Sequence, residues 1–104
     1  MIKKLKLIKT GNSGTYYIEN GEKVDGVHQK ITGNPIGIYG NVTKIWGDVS
    51  KIWGDVYALS GNVSGLSGNA DGIKGNINEC EITDEERAKG IRIEDLVGEE
   101  KENL

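Results

Sequence analysis

Apolar residues in the middle of this chain return on a fixed beat of seven. Starting each unit at its aliphatic residue, residues 24–79 divide without insertion into VDGVHQK, ITGNPIG, IYGNVTK, IWGDVSK, IWGDVYA, LSGNVSG, LSGNADG and IKGNINE. The first position holds Val24, Ile31, Ile38, Ile45, Ile52, Leu59, Leu66 and Ile73, and Cys80 falls where the next would come. The third position is Gly in all eight units, the fourth is Asn or Asp in seven (Val27 is the exception), and Val42, Val49, Val56 and Val63 occupy the fifth.

Two architectures accept a period of seven. Ile45, Val49, Ile52 and Val56 step by four and three, the spacing of a coiled-coil seam. That reading puts Gly at the same heptad position throughout. The ten glycines of residues 31–79 then cost roughly 10 kcal/mol relative to Ala, with no Glu/Lys pairing on the flanks to offset it. The second reading is a parallel β-solenoid, each heptapeptide forming one short side. In "IWGDV", alternation sends Ile, Gly and Val to one face and Trp and Asp to the other, and the next two residues turn the corner. β-Branched residues suit strands, and fourth-position Asn is expected to stack and bond along the ladder. The expected fold class is therefore all-β: a short parallel β-solenoid of seven residues per side. Three sides are expected, because inward glycines on two facing sheets would leave a hollow.

The ends depart from the beat, as terminal units of repeat arrays do. Residues 1–23 predict an N-terminal β-hairpin cap in which "KLKLIK" and "TYYIEN" flank "TGNSG", with Asn20-Gly21 as the next turn. Residues 24–80 are the repeat, and residues 81–104 an acidic C-terminal cap and tail, the whole forming one domain. Thr83 and Glu86 have the spacing of a capping box, Gly90 can end that helix, "IRIEDLV" returns as a strand or short helix, and "GEEKENL" reads as a frayed tail.

Composition adds little to this. Among 104 residues there are sixteen glycines, one proline and no Phe, and the formal net charge is −3. Basic residues gather at the front and acids at the back. Cys80 is the only cysteine, so no internal disulfide forms. No stretch has the length of a signal-peptide core or a membrane span. A cytoplasmic protein without a membrane association is expected.

The repeat "GNVSGLSGNA" from Gly61, followed by "CEITDEERAKGIRIEDLV" from Cys80, resembles small heptapeptide-repeat proteins predicted in bacteriophages and Firmicutes, over residues 31–97. The resemblance implies an architecture and a phage-like origin. A looser similarity is to pentapeptide- and hexapeptide-repeat β-solenoids, whose unit length differs.

Little of the sequence suggests catalysis. His28 is the only histidine and has no second His or Cys at metal-ligand spacing, so it is expected on the surface. Cys80 is expected in the core, having no base near it in sequence. "GNSG" at residues 11–14 suits a loop better than an anion-binding nest. No catalytic residue, metal or cofactor is assigned, and the chain is not expected to be an enzyme. The outward aromatics are the candidates for function. Tyr39, Trp46 and Trp53 hold the second position of three successive units, Tyr57 lies in a corner, and Lys44 and Lys51 sit beside them. Such residues mark an interface, unless the chain's own ends or a second copy cover them. The acidic cap at Asp84, Glu85 and Glu86 is a further candidate. The expected role is a non-enzymatic protein-binding module, a phage-encoded inhibitor of a host nucleic-acid-acting or defence enzyme. The alternative is a structural spacer or self-associating segment of a phage particle. Direct binding to nucleic acid is not expected for an acidic chain.

Overall fold

The computed structural model describes residues 1–7 and 14–98. Both sheets grow from the repeat. Strands β1 (Lys6–Leu7), β2 (Thr15–Glu19), β3 (Glu22–Asp25) and β4 (Ile31–Thr32) are followed by one strand per heptapeptide: β5 (Ile38–Asn41), β6 (Ile45–Asp48), β7 (Ile52–Asp55), β8 (Leu59–Asn62), β9 (Leu66–Asn69) and β10 (Ile73–Asn76). A 3-10 turn at Ile77–Cys80, helix α1 (Asp84–Lys89), strand β11 (Ile91–Arg92) and a 3-10 turn at Ile93–Leu96 complete the chain. One sheet has the order β1-β10-β8-β6-β4 and the other β11-β9-β7-β5-β2-β3.

Successive repeats thus alternate between two sheets, and each strand pairs in parallel with the strand two repeats on, as β5 does with β7 and β7 with β9. One circuit takes two heptapeptides. The expected three-sided circuit, which needs three, is corrected to two sides. The reason lies in the glycines, which do not face the axis. Gly40, Gly47, Gly54 and Gly61 all have φ between +90° and +103°. A Cβ on Gly54 would meet Asn69 Oδ1 at 2.6 Å and Asp71 Oδ1 at 2.8 Å, polar atoms of the neighbouring circuit rather than core side chains. No hollow forms, because the first and fifth positions of both sheets fill the interior. Ile38, Val42, Ile45, Val49, Ile52, Val56, Leu59, Val63, Leu66, Ala70 and Ile73 are all buried.

The fourth position also acts differently from the expected ladder of stacked asparagines. In all seven units that carry it, the Asn or Asp Oδ1 accepts the backbone N–H two residues ahead, at 2.9–3.1 Å, forming an Asx turn at the corner. The acceptor is an oxygen common to both residue types, which is why Asp and Asn interchange. The residue at the sixth position returns the bond between circuits. Ser50 Oγ accepts from Asn34 N–H, Ser64 Oγ from Asp48 N–H, Asp71 Oδ1 from Asp55 N–H and Asn78 Oδ1 from Asn62 N–H.

The ends are built from more distant parts of the chain than the sequence suggests. The described part of "KLKLIK", through Leu7, does not pair with "TYYIEN". The hairpin is instead β2 with β3 across Asn20-Gly21, so the first heptapeptide supplies a hairpin strand rather than a side of the stack. β1 crosses to the other end and pairs antiparallel with β10. There Leu5 is buried, its N–H donating to Leu96 O and its carbonyl accepting from Gly98 N–H. The glycine-rich loop at residues 11–14 and the tail at residues 98–104 lie, apart from Gly14 and Gly98, outside the described residues. The helical cap is present as expected, with Thr83 Oγ1 accepting from Glu86 N–H and Glu86 Oε1 from Thr83 N–H.

A side chain at a glycine position carries two costs, of backbone and of space, that mutation separates. Gly26 has φ +101° with nothing within 4 Å of an added Cβ, so Gly26→Ala carries only the cost of a left-handed backbone, about 1–2 kcal/mol. Gly54→Ala adds the collision with Asn69 and Asp71 and is expected to cost more than about 2 kcal/mol. Urea denaturation of the two variants checks the order; equal losses would mean that space plays no part.

Candidate functional site

The candidate residues are spread around the stack by its two-sidedness. Trp46 lies on β6 and Trp53 on β7, in opposite sheets, so the two indoles occupy opposite faces. Tyr39 shares the face of Trp53, because β5 and β7 are neighbours. The corners divide in the same way. Lys44 and Tyr57 follow β5 and β7, on the edge where the chain passes from the second sheet to the first. Lys51 follows β6 and lies on the opposite edge. Asp84, Glu85 and Glu86 form the first turn of α1 at the C-terminal end. The proposed set is therefore not one patch.

Within it, exposure discriminates. Trp53 is 51% exposed and Trp46 39%. Trp53 packs beside Gly37, where an added Cβ would come 3.1 Å from its own Cβ, so the glycine clears room for the indole. Tyr39 is half-buried, and its hydroxyl donates to Asp71 Oδ1 at 2.9 Å. That bond holds the phenol above its usual titration range. Glu86 is committed to the helix cap, its carboxyl drawn below the usual range chiefly by the Thr83 N–H, while the Asp84 charge acts on Arg87.

Asp55 is a residue that sequence reasoning passed over. It is only 3% exposed, the one buried charged side chain of the described core. Its Oδ1 accepts from Tyr57 N–H at 3.0 Å, and its backbone N–H donates to Asp71 Oδ1 at 2.5 Å. Burial is the main cause that raises its carboxyl above the usual range, with the Asp71 charge adding to it. Asp48 makes the same turn in the open, and hydrogen bonds from Ser50 lower its carboxyl instead. The signal for the difference was absent, because both residues sit in an identical "IWGDV".

His28 is not the surface residue expected. Its Nδ1 accepts from Lys30 N–H at 3.2 Å, which leaves the proton on Nε2 to donate to Val42 O at 2.9 Å. Its ring meets Tyr17 edge-on, so it packs between the first strands and the stack. Cys80 is fully buried, and burial raises its thiol. Among the described residues no three His, Cys, Asp or Glu side chains gather as a metal-binding group, and no helix is long and apolar enough to cross a membrane.

Two depressions adjoin the second sheet at its C-terminal end. One, of about 530 Å³, lies between α1 and the corners at Lys51 and Ser64. The other, of about 340 Å³, lies between Trp53 and the residues around Ile93. They share Ser67 and Arg92. The floor of the first is set by Arg87, whose Nη1 donates to Asn62 O at 2.8 Å and Ser64 O at 2.6 Å, fixing the helix to the corner.

No family model matches the chain, and neither a curated protein nor a solved structure matches it.

Asp55 makes a pH prediction. Its raised carboxyl contributes stability that is fully present below the ordinary carboxylate value and is lost as pH rises through the raised value. Asp55→Asn keeps the Asx acceptor without the charge. It is expected to stabilise the protein at pH 7, by about 1.4 kcal/mol for each unit of the elevation, and to leave stability unchanged near pH 3. Thermal melting at the two pH values measures it. Asp48→Asn has the opposite sign, since a lowered carboxyl stabilises above the ordinary value and loses this as pH falls. For Cys80→Ser, a buried hydroxyl replaces a thiol and a loss of about 1–3 kcal/mol is expected, again read by melting. An equally stable but inactive serine variant would make the thiol functional.

Proposed function

We propose that this chain is a protein-binding module built as a two-sided β-solenoid, which presents the Trp53 face to its partner. The observation that carries the reading is the 51% exposure of Trp53 on a sheet face, with Tyr39 on the adjacent strand and a depression alongside it. Large aromatic side chains left in water at a sheet centre are the groups whose burial drives association, and truncating them at interface centres costs about 2–4 kcal/mol. In line with the resemblance to phage heptapeptide-repeat proteins, the partner class is a host enzyme of nucleic-acid or defence chemistry, held as an inhibited complex.

Self-association is the second reading. Its observation is the strand edge at the N-terminal end of the stack, where among the described residues β4 pairs only with β6 and the nearby Ile36 is 89% exposed. Unpaired strand edges recruit further strands. A second copy stacked there would serve a structural role in a larger particle.

The experiment pairs light scattering with affinity capture. The protein is expected to be monomeric alone and to retain a stoichiometric host enzyme. Trp53→Ala should weaken that capture at least tenfold without lowering the melting temperature. Trp46→Ala, on the opposite face, should weaken it less. A dimer or longer assembly with no retained enzyme would replace this reading with self-association.

A further inference from the structure

The two depressions at the C-terminal end of the second sheet belong together through Ser67 and Arg92. Their walls bring charge and apolar surface into one trough. Lys51 stands on the corner after β6, Lys89 at the last turn of α1 and Arg92 on β11, while Trp53 lies at the far end. These residues come from separate parts of the chain, and the helix is what assembles them. Gly65 makes that possible. It occupies the seventh position, where earlier repeats carry Lys30, Gly37, Lys44, Lys51 and Ala58. A Cβ there would lie 2.6 Å from Arg87 O, so only glycine lets α1 close onto this corner and bring Lys89 opposite Lys51.

We propose that this trough is the binding site for an acidic peptide segment of the partner, with carboxylates at Lys51, Lys89 and Arg92 and an apolar side chain against Trp53. The proposal rests on the preceding reading and names the chemistry of the partner. Charge complementarity commits it to that occupant. The larger depression is lined by four cationic residues (Lys51, Arg87, Lys89 and Arg92) against one carboxylate, Asp48, on a chain whose formal net charge is −3. Among the described residues neither Lys51 nor Lys89 is held in an ion pair. Arg92 is paired with Glu94, but both are mostly exposed, and such a pair is worth at most about 1 kcal/mol, so an arriving carboxylate can exchange with Glu94.

The same details disfavour a phosphate backbone. Arg87, a half-buried guanidinium, already donates its Nη1 to Asn62 O and Ser64 O, so part of its planar fork is committed within the chain. Asp48 and Glu94 lie along the trough, where a strand with a charge on every residue would meet them. A peptide can place its carboxylates at the ammonium groups and leave uncharged residues at Asp48 and Glu94.

The probe is a capped hexapeptide of alternating glutamate and leucine, titrated into the full chain at low salt and followed by tryptophan fluorescence and by the amide resonances of Ser67, Gly68 and Arg92. Binding is expected to weaken about tenfold or more in the Lys51→Gln/Lys89→Gln variant, to weaken as salt rises, and to shift the named amides. A lysine–leucine hexapeptide should not bind. Failure of the acidic peptide to bind at millimolar concentration would overturn the proposal, as would equal binding by the Lys51→Gln/Lys89→Gln variant. Tighter binding of inorganic pyrophosphate or of an oligothymidylate than of the peptide would overturn it in favour of a phosphate site. These failures are separable from failure of the protein-binding reading. If Trp53→Ala still releases the captured enzyme while the lysine variant retains it, the module stands and the acidic segment falls.

Discussion

The structure depends on a hydrogen bond that never enters the sheet ladder. At each corner an Asn or Asp oxygen accepts the N–H two residues ahead, so the chain leaves the strand at a fixed angle after four residues. That oxygen needs space, and the space lies over the glycine of the preceding circuit. Asp48 Oδ1 stands where a Cβ on Gly33 would be, Asp55 Oδ1 over Gly40, Asn62 Oδ1 over Gly47 and Asn69 Oδ1 over Gly54. From Gly33 to Gly61 glycine and Asx thus act as one device, split across two circuits. Each Asx bond is worth about 1 kcal/mol net. Their larger effect is on register, because every corner aims its strand at the same offset, as in the pairing of Ile38 with Gly54 and Ile45 with Gly61.

With the glycines turned outward, the interior belongs to the first and fifth positions alone. Two sheets of Ile, Leu and Val meet directly, and the molecule is a slab about 22 Å thick and 35 Å across. A two-sided core of this kind is open at both ends, where a strand's inward side chains have no next circuit. The chain closes these ends with residues outside the regular stack. Tyr17 packs at one end, with His28 of the first heptapeptide edge-on against it, and Leu5, Ile91, Ile93 and Leu96 at the other. Leu5 reaches the far end of the stack from its start, which places the first residues and the C-terminal cap in contact.

The repeating columns made most of this legible. Burial of every first-position residue from Ile31 to Ile73, burial of Cys80, and the Thr83 capping box follow from position alone. The number of sides did not, because alternation assigns glycine to the inward face, and only a positive φ sends its Cβ elsewhere. The sixth position was legible in principle: Thr43, Ser50, Ser64, Asp71 and Asn78 are all short polar residues able to accept a bond, a regularity hidden by Ile36 and Tyr57 in the same column. The destination of β1 was not legible, since "KLKLIK" has the alternation of a strand but nothing in it names β10 rather than β2. The dispersal of Tyr39, Trp46, Trp53, Lys44 and Lys51 over two faces and two edges follows directly from the number of sides.

That dispersal has a consequence for how such a protein acquires a specific surface. A regular stack presents the same small set of side chains on each edge, so a site must arise where the repeat is broken. The breaks are informative here. Ser60 and Ser67 follow Trp46 and Trp53 at the second position, which ends the aromatic run, and Gly65 replaces a larger residue in the corner. Ser67 and Gly65 fall next to α1 and β11, where the chain stops repeating and folds back on itself, while Ser60 lies in the other sheet. The indole of Trp53 on β7 is the last large group on its face before Ser67 on β9, and the cations of the C-terminal cap begin on β11, two strands from the indole. The boundary between repeat and cap is therefore where charge and aromatic surface come within reach of a single ligand. The opposite face carries a depression of about 410 Å³ between Lys44, Tyr57 and Lys74, but neither Trp46 nor α1 contributes to its lining.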